Sequence, residues 1–264
     1  MSYVFADTHC HFDFPPFTGH ETESLALAAQ AGVQQIIVPA VTVDRFENVI
    51  KLAGEYAPLF AALGLHPLYI SQHRDEQLEQ LADFLAMRPE KLVAVGEIGL
   101  DLYMDDPQFV RQQMLLKAQL MLAKRYDLPV ILHSRRSHDQ LAALLRQADV
   151  PRRGVVHGFA GSLAQAQTFI RLGYAIGVGG TISYERAQKT RRVMAQLPLR
   201  SLLLETDAPD MPLAGYQGQP NRPERAAEVF KILCQFRPEP PDEIADSLLQ
   251  NAQALFALPS HMAH

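Results

Sequence analysis

Two histidines one residue apart end the first apolar stretch of the chain, in the sequence His9-Cys10-His11. On an extended strand, side chains at positions i and i+2 point to the same face, so both imidazoles would converge on one point while Cys10 packs on the other side. Imidazole is a common ligand of divalent metal ions. The pair therefore predicts a metal site at the end of the first strand.

Ligand-type side chains also end four later apolar segments. They are Glu97 after VAVG, His133 after PVIL, His157 after GVV, and Glu205 and Asp207 in LLLETD. Each one alone is readily explained as a hydrogen-bonded or ion-paired residue of the folded chain. Their joint occurrence at strand ends favours a single metal centre. Its predicted ligands are His9, His11, Glu97, His133, His157 and Asp207. Imidazoles and carboxylates, without a thiolate, suit a pair of Zn²⁺, Mn²⁺ or Mg²⁺ ions.

A pair of divalent ions indicates a reaction class. Two ions about 3.5–4 Å apart activate a bridging water and stabilise the oxyanion that develops when this water attacks. Asp207, as a carboxylate beside that water, is predicted to be the catalytic base that takes its proton. Glu205 shares a face with Asp207, and we interpret it as a group that orients a ligand or as an alternative ligand. The reaction predicted from these residues is a hydrolysis.

Further residues are candidates for contact with a substrate. Arg135 and Arg136 follow the predicted ligand His133, and the guanidinium group of one of them, Arg135 in the favoured interpretation, suits bidentate binding of a phosphate. His66 ends the third apolar segment in the sequence GLHP and is predicted to contact a phosphate or a leaving group. The aromatic residues on which a base could stack are Tyr103, Phe159 and Tyr184. A surface arginine, a packed loop histidine and a packed aromatic residue are the structural alternatives.

The elements that position these residues alternate along the whole chain. Eight short apolar segments are predicted as strands: Tyr3–Ala6, Gln35–Val38, Leu59–Leu63, Leu92–Val95, Pro129–Leu132, Gly154–Val156, Tyr174–Val178 and Leu202–Leu204. Apolar residues at three- and four-residue spacing predict helices over Glu21–Ala31, Asp44–Tyr56, Asp75–Met87, Pro107–Tyr126, Ser137–Gln147, Ser162–Leu172, Arg186–Leu197, Arg222–Phe236 and Pro241–Phe256.

The order and composition of these elements predict the fold. The strands are apolar throughout, which is typical of a parallel sheet that is buried on both faces. We expect an α/β protein, a single-domain (β/α)8 TIM barrel over residues 1–258, with the metal site at the C-terminal mouth of the strands. A doubly wound open sheet is the alternative. Residues 259–264 are predicted to be a disordered tail.

Composition limits the classes of partner. The chain has 264 residues, of which 48% are hydrophobic, and a net charge of −5, with an isoelectric point of about 6.0. A protein that coats nucleic acid is usually basic, so we expect contact with nucleic acid only near the metal site. The two cysteines form no Cys-x-x-Cys pair, which indicates neither a thiolate cluster nor a disulfide framework. We expect a cytoplasmic monomer without a signal peptide or membrane contact.

Six sequence motifs resemble those of one family. They are DTHCHFD at Asp7–Asp13, GLHP at Gly64–Pro67, GEIGLD at Gly96–Asp101, PVILHSR at Pro129–Arg135, VVHGFAGS at Val155–Ser162 and LLLETDAP at Leu202–Pro209. The set resembles the TatD family of metal-dependent hydrolases, within the amidohydrolase-like barrel superfamily. The resemblance implies the six metal ligands named above, with Glu97 as the bridge between the ions. It also implies a phosphodiesterase, typically a deoxyribonuclease that trims DNA ends.

One segment departs from the family pattern. The family often has the element Arg-Asn-Glu-Pro after the eighth strand, whereas this chain reads QPNRPE at Gln219–Glu224, with Arg222 where Glu is common. The difference bears on substrate orientation more than on the metal centre.

Two other functions remain open on the sequence. One is hydrolysis of a small-molecule carboxylic ester, lactone or amide, and the other is a non-enzymatic role for a metal-stabilised binding protein.

Overall fold

Eight parallel strands follow one another around one sheet in the order of the chain. In the computed structural model, which describes residues 2–260, the strands are β1 Phe5–Asp7, β2 Val33–Pro39, β3 Leu59–Leu63, β4 Leu92–Asp101, β5 Val130–Arg135, β6 Gly154–Val156, β7 Ala175–Val178 and β8 Leu202–Leu204. The predicted (β/α)8 barrel is confirmed. The open-sheet alternative is wrong, because a doubly wound sheet reverses its strand order at a switch point, and this sheet does not.

The ring of strands closes between the first and the last of them. The Thr8 amide donates a hydrogen bond of 3.0 Å to the Leu204 carbonyl, and the Asp207 amide donates one of 2.8 Å to the His9 carbonyl. These hydrogen bonds pair the two segments beyond the last residues of β1 and β8. The segment that carries His9 and the segment that carries Asp207 are therefore held side by side at the C-terminal mouth.

Helices connect the strands and surround them. In the described part of the chain they are α1 Glu21–Gln30, α2 Phe46–Glu55, α3 Glu76–Ala86, α4 Phe109–Arg125, α5 His138–Ala148, α6 Leu163–Arg171, α7 Gln188–Gln196, α8 Ala226–Phe236 and α9 Pro241–Phe256. The structure differs from the predicted helix at Arg222–Phe236 in one respect. Pro223–Arg225 forms a separate 3₁₀ turn before α8 begins. None of the described helices is long and apolar enough to cross a membrane.

Side chains fill the interior of the barrel below the mouth. Small and branched residues from alternating strand positions form one cluster there, including Ala6, Ile37, Ala94, Ile131 and Leu203. Phe256, at the end of α9, belongs to the same cluster and is 1% exposed. The barrel is therefore a packed core rather than a pore, and the ligand-type side chains converge at its C-terminal end.

The last residues of the chain bear on the predicted tail. The Pro259 carbonyl accepts a hydrogen bond of 2.9 Å from the Gln35 side-chain amide. Residues 261–264 lie outside the described residues. The boundary between a domain at 1–258 and a tail at 259–264 stays a prediction.

Candidate metal centre

Glu97 lies at the centre of the mouth, on a strand that is longer than the sequence indicated. The predicted strand ended before Glu97, whereas β4 continues to Asp101. The register with β5 shifts between Val95 and Ile98, so the strand has an irregularity at this point. Such a bulge re-aims a side chain. The Glu97 carboxylate is turned to the inside of the mouth, where it is 1% exposed.

Imidazole nitrogens face both oxygens of the Glu97 carboxylate. Oε1 is 2.9 Å from His9 Nε2 and 3.3 Å from His11 Nε2. Oε2 is 3.2 Å from His133 Nδ1 and 2.9 Å from His157 Nε2. The side chains come from four different strand ends. Two predicted ligands therefore face each oxygen of this carboxylate, which suits a shared role in a metal centre.

Asp207 completes the group of six predicted ligands. Its Oδ1 lies 3.6 Å from His9 Nε2 and 3.5 Å from His11 Nε2. Its backbone has a φ of 60°, in the left-handed region, which is uncommon for a residue other than glycine. The side chain is 22% exposed, in contrast to the buried Glu97. Asp207 is therefore the carboxylate of the cluster that is open to a substrate.

The charges in the cluster favour a bound cation. Burial alone would lower the pKa of His11 and of His157, but the carboxylates that face them hold both pKa values well above their usual range. Burial also disfavours the charge of Glu97, and the surrounding imidazoles nevertheless hold its pKa well below its usual range. Carboxylates concentrated in this way require positive charge beside them, and a divalent ion supplies it.

Hydrogen bonds behind two of the rings leave their nitrogen lone pairs directed at the cluster. His11 Nδ1 is 3.1 Å from the Pro39 carbonyl oxygen, and His133 Nε2 is 2.7 Å from Asp101 Oδ2. Both oxygens can only accept, so these nitrogens carry the protons. In their neutral form, both rings direct the lone pair of the opposite nitrogen towards Glu97, where it could bind an ion. The donor set therefore fits divalent metal ions.

His66 has the opposite arrangement. Its Nδ1 accepts a hydrogen bond of 3.0 Å from the Leu68 amide. Burial lowers the pKa of His66 to about 4, so the ring is neutral and carries its one proton on Nε2. That Nε2 lies 3.0 Å from Glu97 Oε2. Although His66, Glu97 and His133 are close enough to share an ion, His66 presents an N–H donor rather than a lone pair. Its predicted contact with substrate remains a prediction that this geometry suits.

Glu205 lies behind His157. Its Oε1 accepts a hydrogen bond from the Gly158 amide and is 3.5 Å from His157 Nδ1. A Cβ atom at Gly177 would lie 2.6 Å from Glu205 Oε2, so only glycine leaves room for this carboxylate. The contact suits an orienting role towards His157. The alternative role as a ligand stays open, because donor atoms of His9, His157 and Glu205 lie within 4.8 Å of one another.

Sequence reasoning missed two carboxylates of the site. Asp101 accepts from His133, and its Oδ1 accepts a hydrogen bond of 3.0 Å from the Tyr103 amide. Glu97 and Asp101 are four positions apart on β4, and this even spacing on a strand was a usable signal. Asp7 is buried and accepts hydrogen bonds from the Thr206 amide, at 2.9 Å, and the Thr206 hydroxyl, at 2.6 Å. Asp7 thereby ties the end of β1 to the segment that carries Asp207.

A cavity of about 550 Å³ opens above the cluster. Glu97, Asp207, His66 and Arg135 are among the residues that line it. Its volume is within the range of small-molecule sites. The described residues around this cavity do not include Arg222. The Arg222 guanidinium instead donates to Glu224 and to Ser24, outside the cavity.

Known proteins resemble this chain in sequence and in structure. The sequence model of a family described as "TatD related DNase" matches residues 6–257. The chain is 67% identical over 255 residues to "Uncharacterized metal-dependent hydrolase YjjV" of Escherichia coli strain K12, covering 97% of this chain and 98% of that one. A crystal structure of that YjjV, a TatD homologue, matches with a TM-score of 0.96 at 66% identity, over 98% of this chain and 100% of the other.

A more distant relative has an activity in its name. The chain is 33% identical over 239 residues to "3'-5' ssDNA/RNA exonuclease TatD" of Rahnella sp. strain Y9602, covering 88% of this chain and 90% of the relative. The resemblance inferred from the sequence motifs is confirmed by these matches.

Proposed function

This chain belongs to the TatD family of metal-dependent hydrolases, and from that premise we propose that it hydrolyses phosphodiester bonds at the ends of nucleic acids. The observation that carries the proposal is the convergence of the six ligand-type side chains at the floor of a cavity that Arg135 also lines. The relative named as a single-strand exonuclease supports this choice of substrate class. The ester-bond specificity and the cytoplasmic, monomeric state are parts of the same proposal.

The residues that would hold the metal are the six that surround or include Glu97. Divalent ions such as Zn²⁺, Mn²⁺ or Mg²⁺ would be held by Glu97 together with the side chains around it: His9, His11, His133, His157 and Asp207. When bound, such ions lower the pKa of water and neutralise the charge that develops on the substrate. Asp101 and Glu205 hold the His133 and His157 rings in place from behind.

Three side chains of the mouth then have roles towards the substrate. Asp207 accepts the proton of the attacking water, because its carboxylate is open to the cavity and is ionised. Burial raises the pKa of Asp207, but the hydrogen bond from His11 and the nearby imidazoles His157 and His9 together lower it. His66 donates its Nε2 proton in a hydrogen bond to a phosphoryl oxygen. Arg135 binds a substrate phosphate from the cavity wall with its guanidinium group.

The experiment that tests the proposal is digestion of end-labelled single-stranded DNA. Metal-reconstituted protein is compared with Asp207→Asn, prepared identically and with its metal content measured. We expect the wild type to shorten the DNA in steps of one nucleotide, and the variant to lose about 10²- to 10⁴-fold of that rate while it stays folded. Asp44→Asn is the matched control, because Asp44 is exposed in the turn that follows β2 at the same end of the barrel.

Two outcomes would contradict the proposal. Undiminished activity of Asp207→Asn would remove Asp207 from the mechanism. No shortening by wild-type protein that holds Mg²⁺, Mn²⁺ or Zn²⁺ would favour the alternative, an amidohydrolase-type enzyme for a small carboxylic ester, lactone or amide. The observation in favour of that alternative is the cavity volume, which a small molecule would fill.

A further inference from the structure

Two consecutive arginines at the end of β5 stack on one aromatic ring at the rim of the cavity. The Cζ atoms of Arg135 and Arg136 lie 3.9 Å and 4.3 Å from the centre of the Tyr103 ring. Both arginines line the cavity above Glu97, and Tyr103 is 49% exposed. These three side chains, called here the arginine–tyrosine clamp, therefore hold two guanidinium groups on an exposed ring beside the cavity.

The backbone at Arg136 brings the two guanidinium groups to the same ring. Consecutive residues of a strand point to opposite faces of a sheet, so the two side chains would diverge if β5 continued. However, β5 ends at Arg135, and Arg136 has a φ of 52°, in the left-handed region. Non-glycine residues rarely adopt this conformation, and it is concentrated at sites that bind ligands.

The protein does not neutralise the clamp. Across residues 2–260, no carboxylate oxygen lies within 4.0 Å of a side-chain nitrogen of Arg135 or Arg136. Two cations held against one ring repel each other, and a bound anion relieves that repulsion. The clamp therefore has the charge, the planarity and the exposure that a phosphate group requires.

Two other arginine–aromatic stacks show what a neutralised pair looks like. Arg45 lies 3.6 Å from the Phe14 ring centre, and its Nη1 is 3.2 Å from a carboxylate oxygen of Asp13. Arg225 lies 3.8 Å from the centre of the Tyr216 ring, and its Nη1 is 3.1 Å from a Glu228 oxygen. In both stacks a carboxylate of the chain forms an ion pair with the guanidinium group. The clamp keeps its guanidinium groups available.

We propose that the arginine–tyrosine clamp binds a second phosphate of an oligonucleotide, next to the phosphate that is hydrolysed. The inference rests on the proposed phosphodiesterase function and narrows it to substrates with at least two phosphodiester linkages. The scissile phosphate has its partners at the cavity floor, where His66 and Asp207 lie. The clamp lies at the rim, where the strand leaves the cavity. Arg136 is the residue on which the preference depends most, because its backbone conformation directs it to the ring.

The test compares substrates that differ in one charge. The probes are a labelled thymidine trinucleotide in which either the first or the second linkage is an uncharged methylphosphonate, and the unmodified trinucleotide. With metal-loaded wild type, we expect at least one methylphosphonate isomer to be cleaved at its remaining phosphodiester with kcat/KM lower by about 10- to 100-fold, mostly through KM. We call the ratio of kcat/KM for the unmodified trinucleotide to that for the methylphosphonate isomer the charge effect. In Arg136→Gln the charge effect falls below about threefold, and Arg136→Lys restores part of it.

Arg225→Gln is the matched control, since it removes an arginine from another tyrosine stack and is expected to keep the wild-type charge effect. A charge effect of less than threefold in wild type, or a full effect in Arg136→Gln, would overturn the clamp while the phosphodiesterase function stands. A wild type that holds metal and cleaves none of the three trinucleotides overturns the proposed function, and the clamp with it.

Discussion

The two ends of the barrel treat charged side chains in opposite ways. At the N-terminal end, Lys91 Nζ donates hydrogen bonds of 2.8, 2.9 and 3.0 Å to the carbonyls of Ala53, Tyr56 and Ala57, where α2 ends. It also lies 4.7 Å from the centre of the Phe60 ring. The protein satisfies this cation completely, and a cation is favoured at the C-terminus of a helix.

At the C-terminal mouth the charged groups are directed at something that the chain does not supply. The imidazoles of His11 and His133 converge on Glu97 as potential metal ligands, and the guanidinium groups of Arg135 and Arg136 face no carboxylate. The difference distinguishes structural polar groups from functional ones in this fold. A polar group whose partners are all internal stabilises the structure, and a polar group that is held rigid without such partners binds a ligand.

Among the changes that test this contrast, Glu97→Gln has the largest expected effect. The amide removes the negative charge that five imidazoles surround and that would hold a metal ion. We expect bound metal to be lost and phosphodiesterase activity to fall by about 10³-fold or more. The measurements are metal content and kcat/KM, with circular dichroism as the control for folding. Full metal content in this variant would contradict the central position assigned to Glu97.

A finer comparison lies within the mouth, between His133→Gln and His66→Gln. The His133 ring offers a lone pair and His66 an N–H group, so only the first change should weaken metal binding, by about 10- to 100-fold or more. The second should retain metal and lower kcat/KM by about 10- to 100-fold, because one hydrogen bond to a charged oxygen is lost. Isothermal titration with Zn²⁺ separates the two. Equal loss of metal from both variants would show that His66 is a ligand.

The smallest expected effect on activity comes from Lys91→Met at the other end. The carbonyls that end α2 lose their donor, so the free energy of unfolding should fall by about 1–3 kcal/mol. We expect a lower Tm and an unchanged kcat/KM for metal-loaded enzyme, measured by thermal unfolding and by DNA digestion. A loss of activity that exceeds the loss of folded protein would show that the two ends are coupled.

Much of the fold was predictable because it depends on local patterns. Uninterrupted apolar segments placed all eight strands, and the ligand-type residues after them placed the mouth. The extension of β4 to Asp101 was not predictable, because it depends on pairing with β5 across a register shift. The proton position on His66 depends on the Leu68 amide, and such a backbone direction exists only in the folded chain. The pairing of Asp7 with Thr206 depends on barrel closure in the same way.

The contact between β1 and β8 also determines when, during synthesis, the metal site can form. The hydrogen bond from the Thr206 amide to Asp7 joins positions 199 residues apart. His9 and His11 are synthesised long before Asp207. An ion that needs all three can therefore be captured only after Asp207 has been synthesised. Since ligands that bind only the folded state stabilise it, the supply of metal would govern how long newly made molecules survive proteolysis.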